Sequence, residues 1–312
     1  FMTILINRRR FVTNTAASAA GILLGTDLMG FNSKEKADLS HKRSKKETLM
    51  QEVMKYRKID AHAHVYFSED SPRTQLEFAD RLGIEKLMIS RPMAPGSQGL
   101  PEEFRKCNDL VLRDVKQHPD RFIGQLTLNP TYRNESLEEI KRCVDQGMVG
   151  MKLYNHVKIN DPLFYPIIEK FIDLKMIILM HSPIGKSRVK LYAKEPPNIS
   201  LPENFVDIAK RYPEAMFQFA HIAGGIDWEN ACKALQHTPN VFVDLSGSNN
   251  EATMIDFALK YIGEDRLLFG CDNCYYQGVG HMFADNLTDA QRKKIFFENY
   301  NNILRKAGKN VD

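Results

Sequence analysis

From Ile59 to the C-terminus, short apolar runs alternate with segments whose apolar residues recur every three or four positions. A run of four to eight apolar residues between turn residues reads as a buried strand, and a longer segment of 3.6-residue period reads as a helix with one face on a core. The pattern predicts strands at Lys58–His64, Ile84–Ser90, Phe122–Leu128, Val149–Leu153, Met176–His181, Ala215–His221, Val241–Leu245 and Leu267–Cys271. Helices fall between them, as at Pro101–His118, with Phe104, Cys107, Leu110, Val111 and Val115 on one side, and at Leu137–Gln146, with Ile140 and Val144. Pro162 and Pro202 stand near helix starts, and Gly83, Gly147 and Gly263 follow helix ends, as capping geometry favours. Alternating strand and helix implies a parallel sheet. Eight such units with no switch in their order close most naturally as an α/β (β/α)₈ TIM barrel, one domain with a C-terminal helix. A doubly wound open sheet is the second choice. Thr288–Lys306 is expected as a surface helix that closes the domain.

The 312 residues are 43% hydrophobic and 26% charged, enough for a large core and unlike a disordered or fibrous chain. One barrel of about 250 residues accounts for residues 48–312. The net charge of +4 says little for a nucleic-acid partner, because many of the basic residues lie in the first 46 positions. There Asn7-Arg8-Arg9-Arg10-Phe11-Val12-Thr13 precedes the small-residue run Ala16–Gly25, the layout of a positive region before a short apolar one. The run is too short to span a bilayer, and the paired arginines resemble a twin-arginine export signal. Lys34–Glu47 then reads as a flexible basic tether. Residues 1–47 are thus expected to direct export to the periplasm or cell envelope, and without such a signal the protein would stay cytoplasmic. Five widely spaced cysteines, an odd number, give no disulfide framework and are expected as free thiols. No phosphate loop, nucleophile elbow or aromatic-basic nucleic-acid pattern occurs.

The chemistry gathers at strand ends. In Ile59-Asp60-Ala61-His62-Ala63-His64-Val65 the two-residue strand period points both histidines to one side, which makes half of a metal site. Other candidates end later strands: His181, His221, and Asp272 after Phe269-Gly270-Cys271. Lys152 ends the fourth strand in Gly150-Met151-Lys152-Leu153-Tyr154. It is read as a point charge for a substrate carboxylate or phosphate, with a carbamylated lysine bridging two metals as the alternative. Arg91, Asn129, Tyr154, Asn155, His156 and Ser246 follow strands and are further mouth candidates. Of these, Arg91, Tyr154 and Asn129 join Lys152 as expected contacts of a small, anionic substrate. Glu69–Arg73 and Lys186–Asn198 are long enough to cover such a site.

In this order on eight strands, the His-x-His, the Gly-x-Lys-Leu, the single histidines and the aspartate after Phe-Gly resemble the amidohydrolase superfamily. Within it they resemble the amidohydrolase-related group of metal-dependent hydrolases and aminocarboxymuconate-semialdehyde-type decarboxylases, over about Ile59 to Arg305. The resemblance implies that His62, His64, His181 and Asp272 ligate a metal, with His221 a catalytic residue or a neighbour that supports the ligands. It implies one Zn²⁺, with Mn²⁺ as the alternative ion. An ion held by imidazoles and one carboxylate lowers the pKa of a bound water, and Asp272 can take that water's proton and pass it on. The first expectation is therefore a hydrolase of a C–N or C–O bond in a small amide, lactone or ester. The second is a non-oxidative decarboxylase of an aromatic or muconate-like acid, and the third an exported binding protein without catalysis.

Overall fold

All eight predicted strands form, and each is shorter than its apolar run. The computed structural model describes residues 48–65, 70–94, 96–182, 198–222, 228–247, 251, 253–284 and 286–312, and one compact unit spans Leu49–Asp312. The expectations for residues 1–47 lie outside the described residues, as do Glu69 and residues 186–197 of the two expected covers.

The strands are β1 (Ile59–His64), β2 (Lys86–Ser90), β3 (Phe122–Gly124), β4 (Met151–Leu153), β5 (Ile177–Met180), β6 (Met216–Phe219), β7 (Val241–Asp244) and β8 (Leu267–Leu268). All neighbours pair in parallel, in the orders β1-β2-β3 and β4-β5-β6-β7-β8. Two seams join these groups into a ring. Leu126 bridges to Met151 in parallel, and Lys152 N–H donates to the Leu126 carbonyl at 2.8 Å. Ala61 N–H donates to the Phe269 carbonyl at 2.9 Å, and Asp272 N–H to the His62 carbonyl at 2.7 Å. The sheet is therefore closed as a (β/α)₈ barrel, and the open doubly wound sheet is excluded. Strands in such a barrel are covered on both faces, which is why β5, Ile-Ile-Leu-Met, is buried at every position.

Helices fill the connections: α1 (Leu49–Val53), α2 (Ser71–Leu82), α3 (Pro101–Gln117), α4 (Arg133–Asp145), α5 (Tyr165–Leu174), α6 (Pro202–Arg211), α7 (Trp228–Leu235), α8 (Met254–Tyr261) and α9 (Tyr275–Ala284). Gly83 ends α2 at φ 65°, a left-handed conformation that glycine adopts without the Cβ clash of other residues. On α3 the predicted Phe104 and Val111 are buried, and Asn108 lies inward with them. Its amide bonds both the N–H and the carbonyl of Thr127, which clamps α3 onto the segment after β3.

The C-terminal segment departs from the expected surface helix. It runs as α10 (Asp289–Lys293), a π-helical stretch Lys294–Glu298, and α11 (Asn299–Lys306), and it packs on β1 and β8. Ile295, Phe296 and Phe297 are consecutive and all buried. Three successive residues of a regular helix sweep about 200° of arc and cannot all face one surface, whereas a wider π turn narrows that spread. Phe296 sits 4.8 Å from the Phe269 ring and 5.7 Å from that of Tyr56, and the buried Tyr300 hydroxyl accepts from Gln125. The segment is thus part of the core.

Candidate metal centre

Parallel closure sends every strand's C-terminal end to one mouth, the face where barrels of this kind carry their chemistry. His62 and His64 end β1, Lys152 lies in β4, His181 follows β5, His221 follows β6, Asp244 ends β7, and Asp272 follows β8. The β1–β2 register shifts between Asp60 and Ala63, an irregularity at the first histidine. Such bulges re-aim side chains next to active sites.

Three donor groups meet. His64 Nε2 stands 3.1 Å from Asp272 Oδ1 and His62 Nε2 3.8 Å from the same oxygen. His221 Nδ1 lies 3.7 Å from Asp272 Oδ2. Both His221 (φ 65°) and Asp272 (φ 47°) have left-handed backbones, an uncommon conformation for residues with a Cβ. It is held from outside: His221 N–H donates to Asp244 Oδ1, and Asp272 N–H to the His62 carbonyl. Strain of this kind gathers at functional sites because the surrounding bonds over-determine it.

Burial and mutual repulsion keep His64, His181 and His221 neutral. Burial pushes His64 down to about 4 against the pull of Asp272, and pushes His221 down to about 3. His181 falls well below its ordinary range, first through burial and then through Lys152 and His221. Burial alone would raise Asp272, yet His221, His64 and His62 outweigh it and hold the carboxylate well below its usual range. Neutral imidazoles around an ionised carboxylate are the protonation states that a divalent cation needs.

The residues fit such an ion. His62 Nδ1 faces Asp244 Oδ2 at 3.1 Å and donates to it, so Nε2 carries the lone pair, and that atom is buried without a hydrogen-bond partner. His64 Nδ1 is engaged by Ser90 Oγ at 2.9 Å, which turns its Nε2 to the same place. The donor atoms of His62, His64 and Asp272 all lie within 4.8 Å of one another. Donors at about 2.0–2.2 Å from one ion stand roughly 3–3.5 Å apart, so little movement is needed. Two imidazoles and a carboxylate suit Zn²⁺ or Mn²⁺.

The other predicted residues divide. His181 is not in that compact group; its Nδ1 meets His221 Nε2 at 2.9 Å. Lys152 is fully buried, its ammonium 5.1 Å from the centre of the Tyr154 ring. Tyr154 Oη is 3.3 Å from His64 Nε2, beside the site. Arg91 is buried and donates to the Val65 carbonyl at 2.9 Å. Asn129 is occupied locally: its amide donates to the carbonyls of Gln98 and Gly99, and its oxygen accepts from Thr131 N–H. His281 lies in α9. All five cysteines are free.

Sequence reading missed Asp244, Gln218 and Asn273. Asp244 and Gln218 are fully buried and bonded to each other at 2.9 Å. Asn273 accepts from His64 N–H at 3.0 Å and donates to the His64 carbonyl at 2.8 Å. A signal existed for the first two: one polar residue inside Val241-Phe-Val-Asp-Leu245 and inside Met216-Phe-Gln-Phe219 must find its partner in the interior.

A family model described as "Amidohydrolase" matches residues 59–299. The chain is 25% identical over 293 residues to gamma-resorcylate decarboxylase of Rhizobium sp. (strain MTP-10005), covering 77% of this chain and 88% of that protein. A solved 2,6-dihydroxybenzoate decarboxylase in complex with 2,6-dihydroxybenzoate superposes with TM-score 0.64 at 18% identity, covering 80% of this chain and 98% of the other. A dihydroxybenzoic acid decarboxylase from Polaromonas sp. JS666, with bound manganese and the inhibitor 2-nitroresorcinol, superposes with TM-score 0.62 at 19% identity over 80% and 97%.

Proposed function

Because the chain belongs to the amidohydrolase family, we propose that it is a metal-dependent, non-oxidative decarboxylase of a small hydroxylated aromatic acid. The observation that carries this reading is the meeting of His62, His64 and Asp272 near a buried lysine, in a chain that matches most of the length of a decarboxylase. The hydrolase expected first has no comparable support. A divalent ion held by His62, His64 and Asp272, either Mn²⁺ or Zn²⁺, would supply positive charge for the substrate's oxygens.

The chain's own residues do the rest. Lys152 provides a buried ammonium for the substrate carboxylate, with Arg91 as a second cation at the end of β2. Asp272 is ionised at neutral pH, so it acts first as a base toward a substrate hydroxyl. It then passes that proton to the ring carbon that bears the carboxylate. A C–H bond forms there, the C–C bond breaks, its electron pair restores the ring's aromaticity, and carbon dioxide leaves. His221, neutral, stands beside Asp272, its Nδ1 3.7 Å from Oδ2. The Tyr154 hydroxyl, 3.3 Å from His64 Nε2, is a further polar group beside the substrate.

The arginine pair Arg8-Arg9 with Phe11 supports an exported protein. Among the described residues no helix is long and apolar enough to cross a membrane.

The full chain, loaded with Mn²⁺ or with Zn²⁺, should release carbon dioxide from 2,6-dihydroxybenzoate or a related phenolic acid and yield the decarboxylated phenol. Turnover of a lactone, ester or amide, with no carbon dioxide from any acid of the panel, would return the protein to the hydrolases. Binding of the acids without any turnover would leave a binding protein.

A further inference from the structure

Asp244 touches more of the site than any candidate ligand does. Its side chain is fully buried and takes five donors. His62 Nδ1 and Gln218 Nε2 meet Oδ2 at 3.1 and 2.9 Å; His221 N–H, Ser246 N–H and Ser246 Oγ meet Oδ1 at 3.1, 3.1 and 2.5 Å. A carboxylate only accepts, so each of these groups must donate.

That requirement propagates. The single hydroxyl proton of Ser246 goes to Asp244, so the Ser246 oxygen accepts from His221 Nδ1 at 3.0 Å. A neutral imidazole donates from one nitrogen and accepts at the other. His221 Nε2 therefore accepts, and His181 Nδ1, 2.9 Å away, must carry its proton. Both His62 and His181 are left with Nε2 as the acceptor nitrogen. We propose that Asp244 is a positioning residue that sets the tautomers of His62, His221 and His181, directly for the first and through Ser246 for the other two. The inference rests on the metal-site reading above and not on the reaction assigned to it.

Asp244→Asn separates this from a merely structural role. The asparagine Nδ2 cannot stand at the Oδ1 position, where it would face two backbone N–H groups that have no second form. It must take the Oδ2 position, where Gln218 can turn its amide and His62 can move its proton to Nε2. The full chain, labelled with ¹⁵N-histidine and freed of metal, is read by long-range ¹H–¹⁵N spectra at pH 7, and its Mn²⁺ affinity by competition with a chelating dye. Wild type should show His62, His221 and His181 protonated at Nδ1. Asp244→Asn should move the His62 proton to Nε2 and weaken Mn²⁺ binding about 10- to 100-fold. Ser246→Ala removes a 3.2 Å contact of the hydroxyl with His62 Nδ1 but leaves the Asp244 bond, so His62 should stay protonated at Nδ1 while His221 and His181 change, and the variant keeps the test alive if Asp244→Asn fails to fold. Wild-type tautomers and affinity retained in Asp244→Asn, or an unchanged spectrum in Ser246→Ala, overturns the proposal. Correct wild-type tautomers without Mn²⁺ binding would support it while sinking the metal-site reading.

Discussion

His181 Nδ1 and His221 Nε2, from side chains that end the neighbouring strands β5 and β6, stand 2.9 Å apart and share one proton. With His221 Nδ1 turned to Ser246, a second proton on His221 would have to enter at Nε2, against the N–H of His181. Together with burial this keeps the pair neutral far below the ordinary histidine range.

Acid should therefore destabilise the metal-free protein. In an unfolded chain histidines titrate near 6.5, so below that pH the unfolded state binds protons that the folded site refuses. Stability from the neutral rings is present above about 6.5 and is lost as pH falls toward about 4 for His64 and about 3 for His221. Asp60, raised to about 7 by burial, works the other way and offsets part of the loss. Thermal unfolding after metal removal should show a Tm on the order of 5–10 °C lower at pH 4.5 than at pH 7. A Tm that holds or rises on acidification would contradict the buried neutral rings.

Asp272→Asn keeps the shape of the side chain and removes the proton-carrying group. Decarboxylation should fall by a factor of about 10²–10⁴, while far-ultraviolet circular dichroism and Tm stay near wild type. Residual activity above a tenth of wild type would move the proton chemistry to another residue.

Lys152→Met tests the two readings of that lysine. As a substrate contact it leaves one metal per chain, measured by elemental analysis, and raises KM for the acid by roughly 10-fold or more. If the wild type holds two ions and the variant one, and mass spectrometry finds a carbamylated lysine, the bridging role stands instead.

Phe296→Ala tests the C-terminal segment as core. Phe296 is fully buried between Phe269 and Tyr56, so its truncation should cost about 3–5 kcal/mol in urea unfolding. The folded fraction should bind metal as wild type does. A loss under 1 kcal/mol would mean that the segment lies on the barrel without supporting it.

Much of the frame was legible because it depends on local spacing. Apolar runs such as Ile177–Met180 and their helical neighbours mark the strands and their order, and the period of two places His62 and His64 on one side. What failed was boundary and surround. β8 shrank to Leu267–Leu268, although Phe269 and Asp272 still bond to the first strand, and Ile295–Phe297 needed a π turn that local periodicity does not reveal.

By itself the sequence determined the barrel, the mouth and most of the polar groups around it, since alternation and parallel order carry that information along the chain. The tertiary structure decided which groups meet. It set Asp244, distant in sequence, against His62 Nδ1, joined His181 Nδ1 to His221 Nε2, and turned the Asn129 amide to the carbonyls of Gln98 and Gly99. Hydrogen-bond partners, and with them tautomers and charge states, depend on ångström distances created only when the last strand closes against the first.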